Sequence, residues 1–239
     1  RKRTSDVILA YRDFWHKLPA SERDSCRLVM HTQPVDEHGT DLPAVIRDLC
    51  PEIKVVFSSN RTDTGALNAM YNIADVVISL SSNEGFGLSL AESLMTATPI
   101  IATVTGGMQD QMGFRDEHDV LLNPDIHFTK EWGTNDDGRY KTCGEWAIPL
   151  YPKVRTLIGS PPTPYIFDNY CTNEDATDAI MTAYKWGSDE RTRRGALGKE
   201  FCMGDGGLHS DNMCNLFIKH IDATLGYWKP RKRFGLYNG

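Results

Sequence analysis

A chain of 239 residues, 40% hydrophobic and 24% charged, carries enough apolar material for one large domain or two small ones with a substantial core. A formal net charge of −6 argues against a broad phosphate-neutralising surface and so against nucleic acid as partner, although basic residues gather at Arg1-Lys2-Arg3 and over 229–233. No apolar run approaches the roughly 18 residues of a membrane span. The six cysteines show neither a Cys-x-x-Cys pair nor zinc-type histidine spacing, and read as reduced thiols of a cytoplasmic protein.

The predicted elements alternate along the chain. Short apolar runs rich in Val, Ile and Leu lie at 27–32 (RLVMHT), 53–59 (IKVVFSS), 75–82 (DVVISLSS), 99–104 (PIIATV) and 118–123 (HDVLLN). Each is bounded by turn residues, as strands buried on both faces are. Between them, 41–50, 64–74 and 87–97 place apolar residues at helical spacing, with Thr64 as an N-cap and Thr98-Pro99 as a stop. Strand–helix repetition implies right-handed crossovers and a doubly wound parallel sheet, an α/β Rossmann-like domain over 1–239. The pattern breaks over 123–173, an irregular insertion with EWAIPLYP and TPYIF as candidate short strands or edge pieces. Helices then return at 174–187, 189–203 and 209–228, the last with Met213, Phe217, Ile221 and Leu225 on one face.

Residues 80–92 combine a strand end, a glycine-rich turn and a helix start. In a doubly wound sheet, ligands bind outside the carboxyl ends of the strands. Gly85 and Gly87 let the backbone approach a ligand, and the N–H groups of Leu88 and Ser89 can face an anion. A second turn, Gly106-Gly107, follows the next strand and is expected to face the same cleft. Glu84 sits at the cleft mouth, and Glu92 lies five residues beyond Gly87, where a carboxylate can accept from paired hydroxyls. The plainer readings are an exposed helix charge for Glu92, a dipole-favoured charge at the helix start for Glu84, and a core ring for Phe86. His31 reads as a structural histidine in preference to one that faces the cleft from the first strand end. The rival dinucleotide pattern G-x-G-x-x-G fits Gly85 and Gly87 but meets Leu90 at its third glycine. The strand ending ATVT also lacks the acidic residue of a nicotinamide or flavin site.

The stretch SSNEGFGLSLAESLMTATPIIATVTGG (81–107) resembles the signature of retaining glycosyltransferases of family 4, in the C-terminal, nucleotide-sugar-binding half of the GT-B fold. The resemblance is close over 55–107 and looser, in the order of elements, over 1–122 and 174–228. It implies a UDP- or GDP-linked sugar as donor substrate, no separate cofactor, no metal, and an acceptor it does not specify. Glu84 would then accept from donor-sugar hydroxyls, while the N–H groups of Gly85, Phe86, Gly87 and Leu88 contact sugar and diphosphate, with Gly106 and Gly107 in the same cleft. Glu92 would hold the ribose hydroxyls, and the base would lie against 58–61, at Ser58 and Arg61. Lys2, flanked by Arg1 and Arg3, looks like the lysine that neutralises the leaving diphosphate, a task for a flexible point charge. Retention is expected without a protein nucleophile.

Family 4 enzymes have two similar-sized domains, and nothing in this sequence reads as the N-terminal, acceptor-binding one. The family's companion arginine would also fall before Arg1. The resemblance thus implies the C-terminal domain of a larger enzyme, weak or inactive alone. The alternatives are a nucleotide-sugar epimerase of the same fold and a non-catalytic nucleotide-sugar-binding module. A phosphorylase would need a lysine for pyridoxal phosphate, and no lysine occupies a matching cleft motif.

Overall fold

The computed structural model describes residues 1–37, 39–122 and 140–230. The first part of the predicted insertion, 123–139, and residues 231–233 of the C-terminal basic cluster lie outside the described residues. In chain order the elements begin with α1 (Thr4–Lys17), α2 (Ala20–Arg23), β1 (Leu28–His31), α3 (Leu42–Leu49), β2 (Val55–Ser58), α4 (Thr64–Ile73) and β3 (Val77–Ser79). There follow α5 (Leu88–Met95), β4 (Ile100–Thr103), a 3-10 helix (Gly106–Gln111), β5 (Ala147–Leu150), β6 (Val154–Ser160) and β7 (Thr163–Tyr170). The chain closes with α6 (Asn173–Lys185), α7 (Gly187–Met203) and α8 (Ser210–Tyr227). Among the described residues no helix is long and apolar enough to cross a membrane.

The fold is α/β with parallel strands, as the alternating pattern predicts. β1 and β2 pair in parallel, Leu28 opposite Val55, and β3, β4 and β5 form a second parallel set with Val77, Ile100 and Ala147 in register. β6 and β7 make a separate antiparallel hairpin. Every residue of β4 is buried, which explains its uninterrupted apolar sequence. α1 buries Val7, Ile8, Ala10, Tyr11 and Phe14. One face of it packs beside α6 around Ala176 and Ala179, the other around Met30, Leu42 and Ile53. A third cluster joins Leu90 and Leu94 of α5 to Ile100, Met108, Met112 and Phe114. Each fully buried Leu or Ile here contributes about 1.5–3 kcal/mol.

Two expectations are corrected. Of the run 118–123, the described residues 118–122 are not a strand: Leu121 makes an isolated antiparallel bridge to Arg115, and Asp119 turns back at φ 62°. The Asp116 carboxylate accepts from the His118 and Val120 amides, taking the donors that a ladder would need. The strand beside β4 is instead β5, inside EWAIPLYP, where Pro149 is tolerated because β5 is the outer member of its set. Thr64 is not the cap of α4: Asp63 accepts from the Ala66 amide at 2.7 Å, and Thr64 is the first helical residue. The apolar stripe of α8 exists, but it has no buried residue, and Phe217 and Leu225 are 64% and 68% exposed.

Candidate functional site

The site is built where β3 ends. Ser82 donates its amide to Arg1 O at 3.0 Å, tying the first residues of the chain to the carboxyl end of the strand. The chain then turns through Glu84–Gly87 into α5, with Gly87 in the left-handed region at φ 86° as N-cap. This turn lies directly on the second glycine pair. Gly107 donates to Glu84 O at 3.0 Å. A Cβ on Gly106 would fall 2.1 Å from Glu84 O, and one on Gly107 would fall 2.2 Å from Gly85 O. The second pair was expected to face the cleft; its nearest neighbour is the backbone of the first turn, so glycine is required there by close approach. From the end of the 3-10 helix, Gln111 Nε2 donates to Phe86 O at 2.5 Å and to Gly87 O at 3.2 Å. Among the described residues, the amides of Gly85, Phe86, Gly87, Leu88 and Ser89 donate to no protein acceptor.

Charge gathers beside these amides. Glu84 is only 10% exposed, and the Lys2 ammonium forms an ion pair with its buried Oε1, while Arg1 approaches Oε2 at 4.0 Å. Arg3 does not join this group. Its guanidinium pairs with Asp6 at 2.8 Å, donates to Cys171 O and stacks 4.6 Å over the Tyr170 ring. Glu92 is not a free helix charge either, because the Tyr71 hydroxyl of α4 donates to its Oε2 at 2.7 Å. Burial, and then this bond to a carboxylate, push the Tyr71 pKa well above the ordinary phenol range, so Tyr71 remains the donor.

The remaining expected residues lie at the carboxyl ends of β1 and β2. His31 Nδ1 is 3.0 Å from Ser58 Oγ, and Gln33 donates to Ser59 O at 2.8 Å. His31 is therefore partnered but exposed, and Arg61 is exposed before α4. Phe86 is 37% exposed rather than a core ring. Sequence reasoning missed Tyr71 and Gln111. Tyr71 looks like one more apolar residue of an amphipathic helix, and Gln111 carries no signal beyond being polar between two methionines.

Among the described residues, no three His, Cys, Asp or Glu side chains gather as metal ligands would. A concavity of about 430 Å³ runs along α8 between Met213, Leu216, Phe217 and His220. It is mostly apolar and exposed, with Asn212 and His220 as its polar lining.

Parallel strands whose carboxyl ends carry a glycine turn leading into a helix define the class: the chain has the Rossmann-like fold of GT-B glycosyltransferases. Residues 1–118, just under half of the chain, match the family model described as glycosyl transferases group 1. A 56-residue stretch is 46% identical to the trehalose synthase of Rubrobacter xylanophilus, covering 23% of this chain and 14% of that protein. The sucrose-phosphate synthase from Thermosynechococcus elongatus superposes with a TM-score of 0.55 at 16% identity, over 93% of this chain and 43% of that one. A glycosyltransferase from Rickettsia africae gives 0.52 at 12% identity, over 91% and 56%. The chain thus spans well under two thirds of each of these proteins.

Proposed function

We propose that the chain is the donor-binding, C-terminal part of a retaining family 4 glycosyltransferase that moves a sugar from a UDP- or GDP-linked donor to an acceptor. The observation that carries this reading is the row of five amides, Gly85 to Ser89, that donate to no described protein acceptor and lie beside the Lys2–Glu84 pair. Such a row is a preformed anion cradle. A diphosphate leaving with the sugar–oxygen bond's electrons gains charge as the bond breaks. Fixed N–H dipoles and the Lys2 ammonium offset that charge without reorganising. Glu84 accepts from sugar hydroxyls, positioning the anomeric carbon for attack from the face the diphosphate leaves. Glu92, with one oxygen held by Tyr71, offers the other to the ribose. The names of its relatives, trehalose synthase and sucrose-phosphate synthase, fit a glycosyl donor and a sugar acceptor.

Isothermal titration with UDP- and GDP-sugars tests the proposal. One donor series should bind, and Glu92→Ala should weaken it about tenfold, the loss of one bond to a charged group. Equal affinity in both proteins would count heavily against the reading.

A further inference from the structure

We propose that Gln111 is a positioning residue: by tying down the Phe86 and Gly87 carbonyls, it aims the Gly87 and Leu88 amides into the donor site. The inference rests on the donor-binding reading above and deepens it. Within a planar trans peptide, the carbonyl and the following N–H point in opposite directions. Gln111 Nε2 lies 2.5 Å from Phe86 O and 3.2 Å from Gly87 O, so both carbonyls face the 3-10 helix. The amides of the same two peptides, Gly87 N–H and Leu88 N–H, must then face away from it, and among the described residues they meet no acceptor.

Two further observations separate this from ordinary packing. Gln111 has 0% exposure, yet its Oε1 is buried without a partner. A side chain kept for packing alone would not carry half of its hydrogen-bonding capacity unmet, so the amide is explained by the two carbonyls it holds. The carbonyl of Gly87 also receives the Leu90 amide at 3.0 Å, whereas among the described residues Phe86 O receives Gln111 alone. The side chain springs from a fixed point, since Trp146 Nε1 donates to Gln111 O at 3.0 Å.

The test is a titration of the 239-residue chain with inorganic pyrophosphate, read on the amide resonances of Gly87 and Leu88. In the wild type both resonances should shift with pyrophosphate. Gln111→Met, close in volume and without a donor, should bind pyrophosphate about tenfold more weakly. Its affinity for uridine or guanosine, which lack phosphate, should stay at the wild-type value. Gln111→Glu should show the same loss at neutral pH. Relative to wild type at each pH, it should recover as acid protonates the carboxyl and restores a donor, a comparison made within one folded sample if the Met variant unfolds. Silent wild-type amides would overturn the proposal, as would a folded Met variant with unchanged pyrophosphate binding or equal losses for pyrophosphate and nucleoside. Amides that respond to pyrophosphate in a protein binding no UDP- or GDP-sugar would leave the positioning role standing and remove the glycosyl-transfer reading.

Discussion

Gly107→Ala offers a direct probe of the interlocked turns. The added Cβ would sit 2.2 Å from Gly85 O and 2.8 Å from Phe86 Cα. Both are backbone atoms that no rotamer change can move aside, so the two turns must separate by about 1 Å to reach ordinary van der Waals contact. Overpacking of this kind costs about 1–3 kcal/mol. In a chain of this size, that lowers the melting temperature by about 2–12 °C. The same displacement stretches the Gly107 amide bond to Glu84 O, now 3.0 Å, and moves the amide row away from Lys2. Gly85→Ala is the control, since its Cβ would meet nothing within 4 Å and its φ is outside the left-handed region. Thermal unfolding followed by circular dichroism, with pyrophosphate titration on the same samples, checks both variants. Gly107→Ala should lose stability and anion affinity together, whereas Gly85→Ala should melt with the wild type. A Gly107→Ala protein that melts and binds as the wild type does would show that the second glycine pair does not set the turn.

Tyr71→Phe removes the hydroxyl that holds Glu92, and should cost about 1–2 kcal/mol in denaturant unfolding while weakening nucleoside more than pyrophosphate. Asp63→Ala should destabilise by about 1 kcal/mol, and Thr64→Ala by much less, because the capping oxygen belongs to Asp63. Glu190 is held down to about 2, chiefly by its hydrogen bond to Arg193 and also by Arg194. A depressed carboxyl contributes stability above its unfolded value, and that contribution fades as pH falls from about 4.5 towards 2. Glu190→Gln should therefore flatten the acid limb of the stability profile, and the difference should shrink at high salt because the cluster is at the surface.

What could be read from the sequence follows where each residue's partner lies. β1 to β4 are legible because strands buried on both faces carry their signature within a few residues, as IIAT does in β4. β5 is legible in EWAIPLYP only as a candidate short strand or edge piece, because Pro149 argues against a strand unless its edge position is known. α1 presents Val7, Ala10, Tyr11 and Phe14 at helical spacing but lacks a start signal, for its N-cap is Arg3 at φ 52° with no side-chain cap bond. The 118–123 run shows the opposite error, a strand-like composition overruled by one aspartate taking its amides. At the site, Glu84 and the glycine turn announce themselves because the motif is contiguous. Gln111 and Tyr71 act on residues 24–25 and 21 positions away, and only the fold brings them there.

Among the described residues no backbone ladder connects the β1–β2 pair to the β3–β4–β5 set. What crosses between them is side chain only, with Leu28 and Ile180 shared by the flanking clusters. The protein therefore has a seam, with the Ser58 and His31 corner on one side of it and the Gly85–Ser89 amide row on the other. Prying the seam apart breaks dispersion contacts and no sheet hydrogen bond, so deuterium should enter 28–58 as a separate cooperative unit, ahead of 77–103.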